Sequence, residues 1–239
     1  MRVAIVSDIH GNRTAFEAVL ADLRQTSPDL ILHGGDLAHG GANPAEIVDR
    51  IRDLGWQGVA GNADEMLFRP ESLTEFAGQL PRLQPMFSAI EEMAAADREA
   101  LGEQRLAWLS TLPGIQIHAP FALVHATPKS LWRAPAPDAS DAKLESVYSP
   151  LGQPVAIYAH IHCSYVRSIP DLMVVNTGSV SLSCDGDRRA AYLLLDGRNP
   201  TIRRVEYDVD QELKALAESG LPHSDWTAKM LETARPQLP

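Results

Sequence analysis

Residues 2–11 read RVAIVSDIHG. The apolar run Val3 to Val6 has the length and β-branched character of a buried strand, yet it stops at once in an acid, a histidine and a glycine. Asp8 and His10 alternate, so in an extended chain both side chains project to one side. A carboxylate and an imidazole converging at a strand end suit a metal-ligand pair. The same residues also suit a helix N-cap region with an incidental histidine. The rest of the chain has to decide.

Downstream of this strand, Phe16, Val19, Leu20 and Leu23 recur at helical spacing within residues 12–24, and Pro28 ends that helix. A second strand follows at 29–33 (DLILH). Asn43-Pro44-Ala45-Glu46 then opens a helix, with Asn43 able to cap, Pro44 at the first position and Glu46 three residues after the cap. WQGVA (56–60) reads as a third strand. Two successive βαβ units imply parallel strands at this end of the sheet. Residues 64–112 read as a helical insertion with breaks at Pro70, Pro81 and Pro85. Further strands are expected at 121–125, 155–160, 164–169, 172–176, 190–195 and 201–207, joined by turns short enough to make that half largely antiparallel. Residues 129–154 read as an irregular segment with one short helix near 142–148, and the end is helical from about 209. No internal domain boundary is evident, so residues 1–239 are expected to form a single domain.

The chain has 239 residues, 45% of them hydrophobic and 22% charged, as in an ordinary globular protein. Its net charge of −10 argues against a broad nucleic-acid surface. An anionic substrate would need a local source of positive charge, which bound metal can supply. The two cysteines, Cys163 and Cys184, form no CxxC pair and fit a reducing compartment. The N-terminal apolar stretch is too short for a signal peptide, and no stretch approaches the roughly 20 apolar residues that span a membrane. A soluble cytoplasmic protein is expected, and a homo-oligomer is compatible with this composition.

Acids and histidines recur wherever an apolar run ends: Asp8 and His10, Asp36 in GGD, Asn62 and Asp64 in GNAD, His125 in LVHA, and His160 and His162 in AHIH. Loops at the carboxyl ends of strands in an open α/β sheet meet in one crevice, where ligands bind. Each piece has a plain structural reading: a turn, an Asx bond, a satisfied interior histidine, a helix cap. All five pieces together, in this order, are not explained that way.

This order, D-x-H, GD, GN-x-D, a lone His, then H-x-H, resembles the calcineurin-like metallophosphoesterases, in particular their small prokaryotic phosphoesterase branch. GGDLAHGGANPAEIVDRIR (34–52) and NTGSVSLSCDGDRRAAYLLLD (176–196) look like segments of the same family. The resemblance implies an α/β (α+β) fold, a two-layer mixed β-sandwich flanked by helices, with two divalent metals in the cleft. Carried over residue by residue, Asp8, His10 and His162 match ligands of one metal. Asn62, His125 and His160 match those of the other, and Asp36 matches the carboxylate that bridges them. The implied metals are Mn, with Fe, Zn, Ni or Co as alternatives. The implied reaction is in-line attack of a metal-bridging hydroxide on a small phosphorylated substrate, with small phosphodiesters favoured over phosphomonoesters and dinucleoside polyphosphates. The loop GGDLAHGG lacks the arginine that phosphoprotein phosphatases place shortly after this Asp.

The family often has Gly-Asn-His-Asp where this chain has Ala63, so the histidine that assists the leaving group is missing and Asp64 has nothing of that kind to orient. Ala159 replaces a usual glycine, and Thr177 stands where many relatives have proline. Asp36, Asn62, Asp64 and His39 are the candidate catalytic residues, His39 because it follows Asp36 closely and is able to face the cleft. Asn62, His125 and Ser179 are candidate substrate contacts. His33, His118 and His223 belong to no motif. The rival expectation is a non-catalytic metal-binding scaffold, since the family includes members that kept the fold and lost turnover; Ala63 favours it, and the full ligand set opposes it.

Overall fold

The computed structural model describes residues 1–239. Strand β1 (Arg2–Val6) leads to helix α1 (Arg13–Thr26), β2 (Leu30–His33), α2 (Pro44–Asp53) and a short β3 (Gln57–Gly58). Three helices follow: α3 (Asn62–Phe68), α4 (Glu71–Ala77) and α5 (Gln84–Leu109). Then come β4 (Ile115–His118), β5 (Phe121–Val124), α6 (Asp141–Tyr148), β6 (Val155–Tyr158), β7 (Tyr165–Ile169), β8 (Leu172–Asn176), β9 (Ala190–Asp196) and β10 (Asn199–Val205). Helices α7 (Val209–Glu218) and α8 (Ser224–Thr233) end the chain.

The strands form two five-stranded sheets, β10-β9-β1-β2-β3 and β4-β5-β6-β8-β7. Period-two alternation explains why they stack. On β1, Val3 and Ile5 face the second sheet, where they meet Phe121, Leu123, Val155, Ile157 and Val175. Ala4 and Val6 face the other way, against Phe16 and Val19 of α1 and Ile47 and Val48 of α2. The second sheet repeats the pattern, with Val124, Ala156, Tyr158 and Val174 packed against Leu144 and Tyr148 of α6. Both faces of both central strands are therefore buried, which is why their sequences are continuously apolar. No helix is long and apolar enough to cross a membrane.

The first sheet is parallel from β1 through β2 to β3, as the βαβ reading expects. The second half is largely antiparallel, as expected, through β4–β5, β7–β8, β1–β9 and β9–β10. Two pairs, β5–β6 and β6–β8, are parallel instead. The 129–154 segment, which carries α6, gives the crossover that a parallel β5–β6 pair requires. The third strand is shorter than WQGVA, and β4 went unread because alternate residues of this edge strand are exposed. Asn12 caps α1 through its side chain, which accepts from the Ala15 N–H at 2.8 Å. Asn43 makes no such bond at α2. The prolines at 70, 81 and 85 sit at helix starts, and Gly102, at φ +66°, adds a kink inside α5.

Candidate metal centre

The loops leaving β1, β2 and β6 turn left-handed. Asp8, His10, Asp36, His160 and His162 have φ between +49° and +67°; the only other non-glycine residues with positive φ are Ser27, His223 and Ala234. L-residues enter this region at a steric cost, so its concentration here marks backbone held against local preference. Ladders between loops hold it: the Asp8 N–H donates to Gly35 O at 3.0 Å, His10 N–H to Asp36 O at 3.1 Å, and Cys184 N–H to His162 O at 3.0 Å. Asp8 and His10 thus converge through a left-handed turn, not through the extended alternation expected from sequence.

Ligand atoms of Asp8, His10, Asp36 and His162 all lie within 4.8 Å of one another. His162 Nε2 is 3.2 Å from Asp8 Oδ1, and His10 Nε2 is 3.3 Å from His162 Nε2. Beside them, His125 Nε2 lies 3.5 Å from Asp36 Oδ2 and 3.0 Å from Asn62 Oδ1, which is also 2.8 Å from His160 Nδ1. Asp36 Oδ2 therefore stands between the two groups, 3.8 Å from His10 Nε2 on the other side. The remaining ring nitrogens are anchored to carbonyls: His10 Nδ1 to His39 O (2.8 Å), His125 Nδ1 to Gly34 O (2.8 Å) and His162 Nδ1 to Leu182 O (2.7 Å). With these carbonyls accepting, each Nε2 is aimed at the cluster; His160 instead offers Nδ1. Backbone anchoring of the distal nitrogen is how metal-binding imidazoles are held. Imidazole, carboxylate and amide oxygen together form a donor set that divalent transition metals accept.

Burial pushes His10 and His160 down to about 4, so both are neutral at pH 7. Burial acts in the same direction on His125, but the charge of Asp36 outweighs it and raises His125 to about 9. His162 is likewise raised despite burial, by the Asp8 carboxylate. Burial opposes ionisation of Asp36, yet the surrounding histidines hold it well below the usual carboxylate range. Without metal, the cluster thus balances two carboxylates with two imidazolium ions.

Several supporting residues escaped the sequence reading. Ser7 Oγ donates to Asp8 Oδ2 at 2.7 Å and lies 2.7 Å from Thr177 Oγ1. Thr177 also donates its N–H to Tyr158 O, which a proline there could not do. Asp97, buried on α5, accepts from His39 Nδ1 at 2.7 Å and from the Gly40 N–H at 3.2 Å. Nothing in sequence links residue 97 to residue 39; an acid on a buried helical position was the one available signal.

The structure places three of the expected catalytic and substrate-contact residues away from the open cavity. Asp64 does not line the cleft. Its Oδ2 accepts from the N–H groups of Asp36 (2.9 Å) and Gly61 (3.0 Å) and its Oδ1 from Leu37 (2.9 Å), so it ties the Asp36 and Asn62 loops together. Ser179 is enclosed behind Asp8, donating to Asp8 O at 2.9 Å and accepting from the Ser181 N–H, which removes it from contact with a substrate. His125 is also fully buried, with its Nε2 on Asn62 Oδ1, and it is not among the residues that line the open cavity. His10, Asp36, His39, Asn62, Ala63, His160 and His162 do line one open cavity. Gly61 has no room for a side chain, because a Cβ would fall 2.0 Å from Asp36 Oδ1. His33 is buried beside Trp108, while His118 and His223 lie away from the cluster, near Gln116 and Glu92.

Residues 1–199 match the calcineurin-like phosphoesterase superfamily domain. The chain belongs to that superfamily. A protein of Methanocaldococcus jannaschii, the uncharacterized MJ0912, is 29% identical over 256 residues, covering 98% of each chain. A metallophosphoesterase from Sphaerobacter thermophilus superposes with a TM-score of 0.77 at 26% identity, over 98% of this chain and 100% of that one. The hypothetical protein PH1004 of Pyrococcus horikoshii shares the fold with a TM-score of 0.84 at 17% identity, over 99% of each. As a calcineurin-like phosphoesterase, the chain is a metallophosphoesterase-type hydrolase with a candidate metal-ligand cluster, and the two mixed sheets are those of its family.

Proposed function

We propose that this phosphoesterase hydrolyses small phosphodiesters at a dinuclear centre. The observation that carries the reading is the position of Asp36, whose Oδ2 lies between the Asp8–His10–His162 group and the Asn62–His125–His160 group. Asp8, His10 and His162 would hold one divalent cation, Asn62, His125 and His160 a second, with Asp36 shared; Mn²⁺ is the first choice and Fe, Zn, Ni or Co are alternatives. Such ions, when bound, supply positive charge for the phosphoryl oxygens and acidify water.

The chain's own residues do the rest. Asp36 keeps one oxygen, Oδ1, on the Ala63 N–H at 2.8 Å, which fixes the direction of the other. Asp8 is held by Ser7, and Asp64 keeps the Asp36 and Asn62 loops in register. With Ala63 offering no proton, His39 is the cleft side chain placed to donate one to the leaving oxygen. Its Nδ1 is engaged by Asp97, which leaves Nε2 for the cavity. Diesters are favoured over monoesters because the cavity wall adds only one basic side chain, a single arginine and no lysine, to the charge that the metals would supply. The test is hydrolysis of bis(p-nitrophenyl) phosphate with added Mn²⁺, with chelator, and after metal is restored. Turnover that disappears with chelator and returns with metal is expected. Absence of turnover with every one of the five metals would instead favour a scaffold.

A further inference from the structure

The cavity of about 380 Å³ beside the cluster has a second wall of different character. It is made by Met66, Met86, Met93, Met230, Trp132 and Trp226. Four of the chain's six methionines therefore meet at one place, contributed by α3, α5 and α8. Met66 and Met93 are buried, Met66 within the core that packs on the first sheet, whereas Met86, Met230 and both indoles are only half-buried. We propose that this wall selects an aromatic organic group on the substrate ester, held beside the phosphoryl group.

The argument rests on the phosphoesterase reading above and on three properties of the wall. First, it adjoins the cluster: His10, Asp36, Asn62, His160 and His162 line the same cavity, so one molecule reaches both. Second, the two indoles are fixed planes. Trp132 donates its Nε1–H to Glu65 Oε2 at 2.6 Å and packs on Phe76 at 4.9 Å between ring centroids, and Trp226 donates to Gln237 O at 3.0 Å. Each indole has its one polar atom satisfied within the chain, so only ring surface is left to offer. Third, thioethers are polarisable and adapt to the edge of a ring, and a guanidinium stacks on its face. Arg235, exposed at the end of α8, is the one arginine or lysine of the lining. Indole, thioether and guanidinium all gain beyond simple burial from a flat π partner, whereas an alkyl group gains burial alone. A volume of this size falls within the range that holds small organic ligands.

Two phosphonates that are not hydrolysed separate binding from chemistry. Phenylphosphonate and methylphosphonate are titrated into Zn²⁺-loaded protein, with the change in intrinsic fluorescence as readout; Trp132 and Trp226 are two of the chain's four tryptophans. Phenylphosphonate should bind about tenfold more tightly, the usual scale for seating one ring in an apolar pocket. In parallel, phenyl p-nitrophenyl phosphate and methyl p-nitrophenyl phosphate share a leaving group, and the phenyl ester should show the higher kcat/KM. The double variant Met86→Gln, Met230→Gln should lower both ratios. Equal binding of the two phosphonates to the wild-type protein overturns the proposal without needing any variant, and so does an unchanged ratio in a folded double variant. Turnover with equal phosphonate affinities sinks the pocket and spares the phosphoesterase reading. Aryl-selective binding without turnover of either ester does the opposite.

Discussion

The two walls of the cavity are built by opposite means. On the cluster wall, three of the four imidazoles are anchored by Nδ1 to backbone carbonyls, and five residues are held at positive φ. On the facing wall, flexible thioethers stand on helices inserted between strands or appended after them. Rigid placement suits groups whose ligand geometry must not vary, and adaptable side chains suit recognition of an organic group. If the proposed roles hold, the contrast teaches that reaction and selectivity are separable: strand-end loops would carry one and added helices the other. Asp36→Asn breaks the first wall with little change of shape. Losing the one carboxylate shared by both ligand groups should lower metal content and reduce turnover by about 10³-fold or more, comparable to removing a key electrostatic group. His33→Ala, measured beside it, should leave metal content alone. Unchanged metal stoichiometry in Asp36→Asn would remove Asp36 from the centre.

His39 tests whether the loop after Asp36 belongs to the reacting wall. Its partner Asp97 lies on α5, the same helix that carries Met86 and Met93, so this pair joins the two walls. His39→Ala should slow hydrolysis of alkyl esters by about 10²-fold, the lower end of general acid assistance. Nitrophenyl esters need little protonation and should change less than about threefold by the same reasoning. Adding Ala63→His to that variant should restore part of the alkyl rate. An equal loss for both leaving groups assigns His39 a structural task instead.

Asp64 sits behind the wall and sharpens the comparison, because its effect should appear in stability more than in chemistry. Its two oxygens receive three backbone N–H groups from two loops. Asn keeps one acceptor and turns an NH₂ toward a buried N–H. Leaving such groups unpaired costs about 1–3 kcal/mol. Chemical denaturation of Asp64→Asn should show that loss, with residual activity per folded molecule well above that of Asp36→Asn. A fully stable but inactive Asp64→Asn protein would restore the catalytic role that the geometry denies it.

The ligand-type residues were legible because each ends an apolar run, and strand ends are where an α/β sheet gathers its loops. The first parallel strands were legible for the same reason, since Phe16, Val19, Ile47 and Val48 advertise the intervening helices. What was not legible depends on long-range pairing. Ser7 and Thr177, or His39 and Asp97, are separated by 170 and 58 residues, and no local pattern records such contacts. The parallel β5–β6 pair was missed because its crossover is an irregular segment with a short helix. The GN-x-D resemblance makes Asp64 a catalytic candidate; only its three backbone donors show that this acid braces the loops.

The electrostatics of the cluster yield the last test, smaller in size but specific to the cluster wall. At neutral pH without metal, His125 holds a proton because its pKa is raised from 6.5 to about 9, burial being outweighed by Asp36. His162 holds another because of Asp8. A cation that takes the Nε2 of either ring must release that proton, so binding is linked to pH. Affinity should therefore rise from pH 6 to pH 8, by about tenfold per unit for each proton released, and level off as pH passes about 9 for the His125 contribution. The sign for stability is the reverse. A raised pKa contributes stability to the metal-free fold that is complete below about 6.5 and is lost as pH rises through about 9. Metal-free protein should thus become less stable across the interval in which metal binds more tightly. Calorimetric titration in two buffers of different ionisation enthalpy counts the released protons, and thermal unfolding of the metal-free protein follows the stability. His125→Asn should reduce the proton count by one. A pH-independent affinity from pH 6 to pH 8, with no proton released, would mean that neither raised imidazole faces the ion.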